Sequence, residues 1–154
     1  MAELKTQGTS LYLTDTADSG NEVRLVGKIT SIGEFGGVSG EIDITNLAST
    51  SKEFLAALKD NGSIAIGFNF DPSDAAQSTL TALIGGANKR FIIACSEATT
   101  AVTFTTVIVV PTDRTTFDFN AAVLGMPKGA AVDGIWAGTL TLRVSGDITE
   151  QAAV

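Results

Sequence analysis

Residues 39–62 read SGEIDITNLASTSKEFLAALKDNG, and how this stretch folds decides what kind of protein the chain makes. It begins as a strand. Glu41, Asp43 and Thr45 fall on one face and Ile42 and Ile44 on the other, the alternation of extended backbone. After residue 46 the alternation stops, and the chain runs to residue 62 as neither a tight turn nor a clear helix. Connections this long are uncommon inside a compact fold and are usually functional. Its middle, KEFLAALKD, sets Phe54, Leu55 and Leu58 at helical spacing, which predicts one or two helical turns. Such an amphipathic arm could fold over its own core or dock on a neighbouring copy.

Composition favours docking. The chain has 154 residues, of which 44 % are hydrophobic, and its mean hydropathy is positive. That length predicts one domain over residues 1–154 with a core of its own. The longest apolar run, TTVIVVP, is strand-sized and far short of a membrane span, so no membrane insertion is expected. The surplus apolar surface therefore goes into the core or into contacts between chains. The opening MAELKTQGTS lacks the charged-then-apolar order of an export signal, which predicts residence in the cytoplasm where the chain is made.

Residue types exclude several chemistries. The chain has no histidine and one cysteine, which removes Cys/His zinc sites and histidine-dependent triads. Cys95, within RFIIACS, reads as a buried, inert thiol. A net charge of −7 opposes adhesive binding to phosphates, for which clustered Lys and Arg are needed.

The remaining pattern is mainly β. Strands are predicted at 9–14, 22–32, 40–46, 63–70, 89–95, 100–110, 116–125 and 134–144, with a polar loop at 14–21. In the long strand 22–32, Val23, Leu25 and Ile29 share one face and Arg24, Lys28 and Thr30 the other. In 134–144, Trp136, Leu140, Leu142 and Val144 share the apolar face. A single helix follows residue 70. Asp71 serves as its N-cap, Pro72 as its first residue, Ala76, Leu80, Leu83 and Ile84 as its apolar stripe, and Gly85-Gly86 as its stop. The expected fold is a β-sandwich or barrel with one flanking α-helix and a long inter-strand loop.

No motif amounts to an active site. GEFGGVSG (33–40) lacks dinucleotide-binding spacing and opens no helix. GGANKR (85–90) ends a helix, the wrong polarity for a phosphate cradle. DTADSGNE (15–22) lacks the alternating ligands of a calcium loop. Glu41 and Asp43 are neighbours on one strand face, a poor way to flank a glycosidic bond. Asn61-Gly62-Ser63 reads as a turn. The chain is expected to be a non-enzyme without metal or cofactor.

The segment SGEIDITNLASTSKEFLAALKDNGSIAIGFNFDPSDAAQSTLTAL resembles the central portion of major tail tube proteins of long-tailed bacteriophages, and GTLTLRVSGDIT (138–149) resembles the end of that domain. The resemblance implies a barrel-like sandwich whose copies join edge to edge into hexameric rings. The rings stack into a virion tail tube, assembled in the host cytoplasm, through which double-stranded DNA passes without specific binding. It implies further partners at the tail tip, a tape measure and a tail terminator. The long loop becomes the joint between rings, with Phe54 and Leu55 as apolar anchors and Lys52, Lys59 and Asp60 as polar contacts. Glu41 and Asp43 become candidates for the channel lining, and Gln77, Ser78 and Thr81 for a helix face toward solvent or a neighbour. Some members carry an immunoglobulin-like domain after this one; a chain stopping at EQAAV is expected to lack it. Two rivals stay open: the tube of a contractile tail or secretion machine, and a stand-alone β-sandwich binding module. Trp136 on the apolar face counts against the module.

Overall fold

The computed structural model describes residues 3–15 and 22–154. Of the predicted polar loop 14–21, Thr14 and Asp15 belong to the first strand and 16–21 lie outside the described residues. Twelve strands and one helix follow in the order β1 (Ser10–Asp15), β2 (Glu22–Val26), β3 (Ile29–Ile32), β4 (Val38–Asp43), β5 (Phe54–Asp60), β6 (Ser63–Asn69), α1 (Ala75–Ala82), β7 (Lys89–Ala94), β8 (Thr103–Phe104), β9 (Ile108–Val109), β10 (Thr116–Gly125), β11 (Lys128–Gly129) and β12 (Ala137–Gln151).

One antiparallel sheet dominates, in the order β2-β1-β7-β10-β12-β6-β3, with β11 added beside β12. Its first and last strands, β2 and β3, are consecutive in sequence and separated only by Gly27 and Lys28. Two residues span less than about 8 Å even when extended, so the sheet must curl until its ends nearly meet. The predicted continuous strand 22–32 is thus one path bent in the middle. Lys28 adopts a positive φ of 61°, and its carbonyl accepts from Asn69 N at 2.8 Å, tying the bend to β6.

The concave side holds the core. Leu11, Leu13, Ile64, Ile66, Phe68, Phe91, Ile93, Phe119, Ala121, Val123, Leu140 and Leu142 are buried there. Each large side chain among them contributes roughly 1.5–3 kcal/mol by leaving water, and the Phe91 and Phe119 rings stack at 6.0 Å. A second, smaller cluster lies on the other face, where Tyr12, Ile92, Ala94 and Val102 are buried with Val23, Ile108 and Val110 beside them. The predicted strand 100–110 is therefore a short β8–β9 hairpin, turned where Thr105 N reaches Val107 O, and it covers this outer face.

That second cluster inverts the expectation for 22–26. Val23 joins the outer cluster, Leu25 is half-exposed, and Val26 is buried in the main core. Arg24 instead turns toward the helix, bonding Thr79 Oγ1 and pairing with Glu22 at 2.7 Å. The alternation was legible, but apolar residues occur on both faces here and parity alone cannot name the inner one.

The helix starts later than expected. Asp71 makes a turn, its Oδ1 accepting from Ser73 N and Oγ at 2.9 and 2.6 Å. Asp74 is the N-cap, accepting from Ala76 N at 2.9 Å. Ala76 and Leu80 then enter the core.

Candidate interface: the projecting arm

Residues 38–60, like the β8–β9 hairpin, stand outside the main sheet. β4 and β5 pair antiparallel with each other and with no other strand. The predicted helical turns at KEFLAALKD are the strand β5 instead, because cross-strand pairing with β4 overrides a local helical spacing. Between the strands, residues 44–53 close in a knitted tip. Ile44 N bonds Glu53 O at 2.9 Å, Glu53 N bonds Thr45 Oγ1 at 3.0 Å, and Asn46 Oδ1 accepts from Ala48 N at 2.9 Å.

The base of the arm is fastened to β12. Asp60 pairs with Arg143 at 3.0 Å and accepts from Gly62 N at 2.9 Å. These two contacts, the Gly62 N–H foremost, hold the Asp60 carboxyl below its ordinary range. Val144 N bonds Gly62 O at 3.0 Å, and Asn61 Nδ2 bonds Gly146 O. Gly62, at φ 67°, makes the turn that an L side chain would strain. The Lys59 stem lies across Gly37, where a Cβ would overlap it.

Strand register sorts the arm's side chains. Ile42 stands opposite Leu55, whereas Asp43 stands opposite Phe54 and Glu41 opposite Ala56. Opposite residues share a face, so Ile42 and Leu55 form an apolar face and Glu41, Asp43 and Phe54 the reverse face. Phe54 and Leu55, expected together as anchors, point to opposite sides. Both faces are open: Ile42 is 52 %, Leu55 56 % and Phe54 46 % exposed, and Leu47 at the tip is fully exposed. The Asp43 carboxyl is held low by the Thr45 hydroxyl and N–H.

The other expected contacts divide. Lys52 is exposed near the tip, while Lys59 and Asp60 belong to the base, with Asp60 engaged inside the chain. On α1, Ser78 and Thr81 are exposed. Gln77 is not: it is 2 % exposed, donates from Nε2 to Asn69 O at 3.0 Å and Gly27 O at 3.3 Å, and accepts from Asp71 N at 3.0 Å. It fastens the helix to the bend and presents nothing to a neighbour. Its place is the reason: Gln77 lies one turn before Leu80, on the side of α1 that Ala76 and Leu80 bury.

Trp136 also departs from expectation. It precedes β12, where only its backbone is engaged (its carbonyl accepts from Phe70 N at 2.8 Å), and its side chain is 58 % exposed. With Val132 and Ile135 it makes an exposed apolar loop that the sequence reading missed; the aromatic among small residues in AAVDGIWAG was the available signal. Its exposure removes the argument that told against a binding module.

Among the described residues, no helix is long and apolar enough to cross a membrane, and no three or more carboxylate or cysteine groups cluster in a way that could hold a metal. Cys95 is half-buried, and burial raises its thiol pKa, which disfavours the reactive thiolate.

The fold is shared with known tubes. The SPP1 tail tube aligns with 99 % of this chain and 81 % of its own at 12 % identity, with a TM-score of 0.70. The tail of an empty GTA particle, determined with C6 symmetry, aligns with 98 % of this chain and 100 % of its own at 15 % identity and a TM-score of 0.66. A chain from the structure of the PVC sheath/tube terminator of an extracellular contractile injection system, in its extended state, aligns over 99 % of this chain and 99 % of its own at 10 % identity and a TM-score of 0.70. At such identities the likeness is one of fold. No curated protein sequence matches the chain. The family model described as phage tail tube, TTP, lambda-like matches residues 2–154, and with this span the chain belongs to that family, the structural proteins that build the tube of the virion tail.

Proposed function

We propose that residues 1–154 act as one tail tube unit, that copies join side by side into sixfold rings, and that the arm is the joint between stacked rings. The observation that carries this reading is the arm itself. A two-stranded ribbon is marginal alone in water and needs further strands or a packed face. Here both ribbon edges and the Ile42–Leu55 face are open, and other copies of the chain supply what is missing. Ring closure also removes the aggregation hazard of open edges. The C6 symmetry of the GTA tail supports the ring number.

The reverse face of the arm then lines the channel. Glu41 and Asp43 project there, and acidic groups repel the phosphates of a duplex carrying about one charge per 1.7 Å of axis. DNA slides past without specific binding. The role is structural, with no catalysis and no cofactor. The tail tip, tape measure and terminator are the further partners; chains of this fold occur in structures of the anti-feeding prophage baseplate and of its tube-terminating cap.

Negative-stain electron microscopy across a concentration series, with a tail-tip complex added as seed, tests the reading. Hollow tubes are expected from the parent chain. Ile42→Ser with Leu55→Ser, which strips the apolar face of the arm, should give a folded subunit, by circular dichroism, that builds none. Tubes from that variant would remove the arm from the joint.

A further inference from the structure

We propose that the loop 130–136, through Val132, Ile135 and Trp136, is the seat that receives the arm of a second copy stacked end to end. The inference rests on the tube reading above and names the surface that reading leaves unassigned. It starts from position. The arm leaves the main sheet at the end of the β6–β12 ladder where Ser63 faces Arg143, and the loop enters β12 at the other end, where Asn69 faces Ala137. β6 is seven residues long, so the two features stand about 20 Å apart at opposite ends of one ladder.

In a tube, all copies share one polarity. The leading end of each therefore meets the trailing end of the next, a heterologous contact between two unlike patches. The chain carries such a pair. At one end is the ribbon face of Ile42 and Leu55, with fully exposed Leu47 at its tip. At the other, Val132 is 94 %, Ile135 65 % and Trp136 58 % exposed. Exposed apolar side chains gathered on one short loop mark interaction sites, and tryptophan anchors are enriched where contacts carry most binding energy.

The seat is also preformed. Gly134 N closes on Ala131 O at 3.1 Å, Asp133 takes a positive φ of 61°, and the Trp136 carbonyl is held by Phe70 N at 2.8 Å. β11 pins the loop's entry beside its exit, Gly129 facing Ala137. Ordering cost on docking is thereby reduced. Asp133 on the loop and Lys52 near the arm's tip supply one pair of opposite charge.

Cross-linking decides it. In a Cys95→Ser background, Ser51→Cys protein is mixed with Ala131→Cys protein, both exposed positions beside the proposed contact, seeded with tail-tip complex, and treated with a short bismaleimide while tubes are counted by electron microscopy. Quenching of Trp136, the sole tryptophan, by acrylamide is followed in parallel. The expected result is a mixed dimer as the dominant covalent product, with Trp136 shielded in tubes and open in the free subunit. Tubes that yield no mixed dimer and leave Trp136 open overturn the seat and leave the tube reading standing. A parent chain that builds no tube on seeds overturns the tube reading and the seat with it.

Discussion

Gly27 and Asp74 are joined by a 3.0 Å hydrogen bond from the glycine N–H to Oδ2, while Oδ1 of the same carboxylate caps the helix through Ala76 N at 2.9 Å. One side chain thus fixes both the start of α1 and the bend that lets the sheet curl. A Cβ at position 27 would lie 2.8 Å from that oxygen, so a larger residue displaces it.

Removing the carboxylate should cost more than a simple cap. Asp74→Ala is expected to lower stability by about 1–3 kcal/mol, combining a lost N-cap with an unpaired Gly27 N–H. Asp74→Asn keeps one acceptor and should lose less. Urea unfolding of the two variants checks the order, and equal stability of Asp74→Ala and the parent would refute it.

Arg114 is a buried clip. It is 1 % exposed, and its guanidinium donates to Cys95 O at 2.6 Å, Ala94 O at 2.7 Å, Thr100 O at 3.1 Å and Gly8 O at 3.3 Å. It holds the N-terminal segment, the end of β7 and the loop after it to one point. Arg114→Met fills similar volume but strands these carbonyls, at a cost of about 3 kcal/mol or more. A melting temperature lower by roughly 10 °C is expected for a chain this size. Calorimetry reads it directly.

Charge on the arm's reverse face should govern passage and leave assembly alone. Glu41→Lys with Asp43→Lys is expected to leave tubes intact, because both side chains are exposed, and to slow DNA ejection by attraction to phosphates. Ejection kinetics from assembled virions are the measurement. Normal infectivity would take these residues off the channel wall.

Acid should loosen the arm at its base. The Asp60 carboxyl is held below its ordinary value by the Gly62 N–H and by Arg143, so the fold favours its charged form. Its contribution is fully present above the unfolded aspartate range, near about pH 3.9, and is lost as pH falls through the lower folded value. The protection of the Asn61 and Gly62 amides, measured relative to their intrinsic exchange at each pH, should fall only below that range. In Asp60→Asn that protection should be low already at neutral pH.

Alternation carried most of what the sequence disclosed. Ile64, Ile66 and Phe68, or Phe119, Ala121 and Val123, announce strands because each has one dry face. The same rule failed at 22–26, where the β8–β9 hairpin dries the outer face too. It also failed at 54–60, where Phe54, Leu55 and Leu58 obey a helical spacing by coincidence and are claimed by β4. Helix signals placed α1 but not its first residue, because Asp71 and Asp74 both suit a cap and only the Gly27 contact chooses between them. The arm was legible as an anomaly of length. Its two faces were not, since they exist only once the register with β4 is set. Trp136 escaped because it keeps the parity of Leu140 while standing just outside the strand.

β3 and β6 pair directly, Ile32 beside Ile66 and Gly33 N on Ala65 O at 2.7 Å. The arm therefore departs from one rung of a ladder and returns to its neighbour, like a handle on a finished vessel. Its length is decoupled from the curl that houses the core. A handle of another length or sequence can be fitted at that point without reopening the fold that carries it.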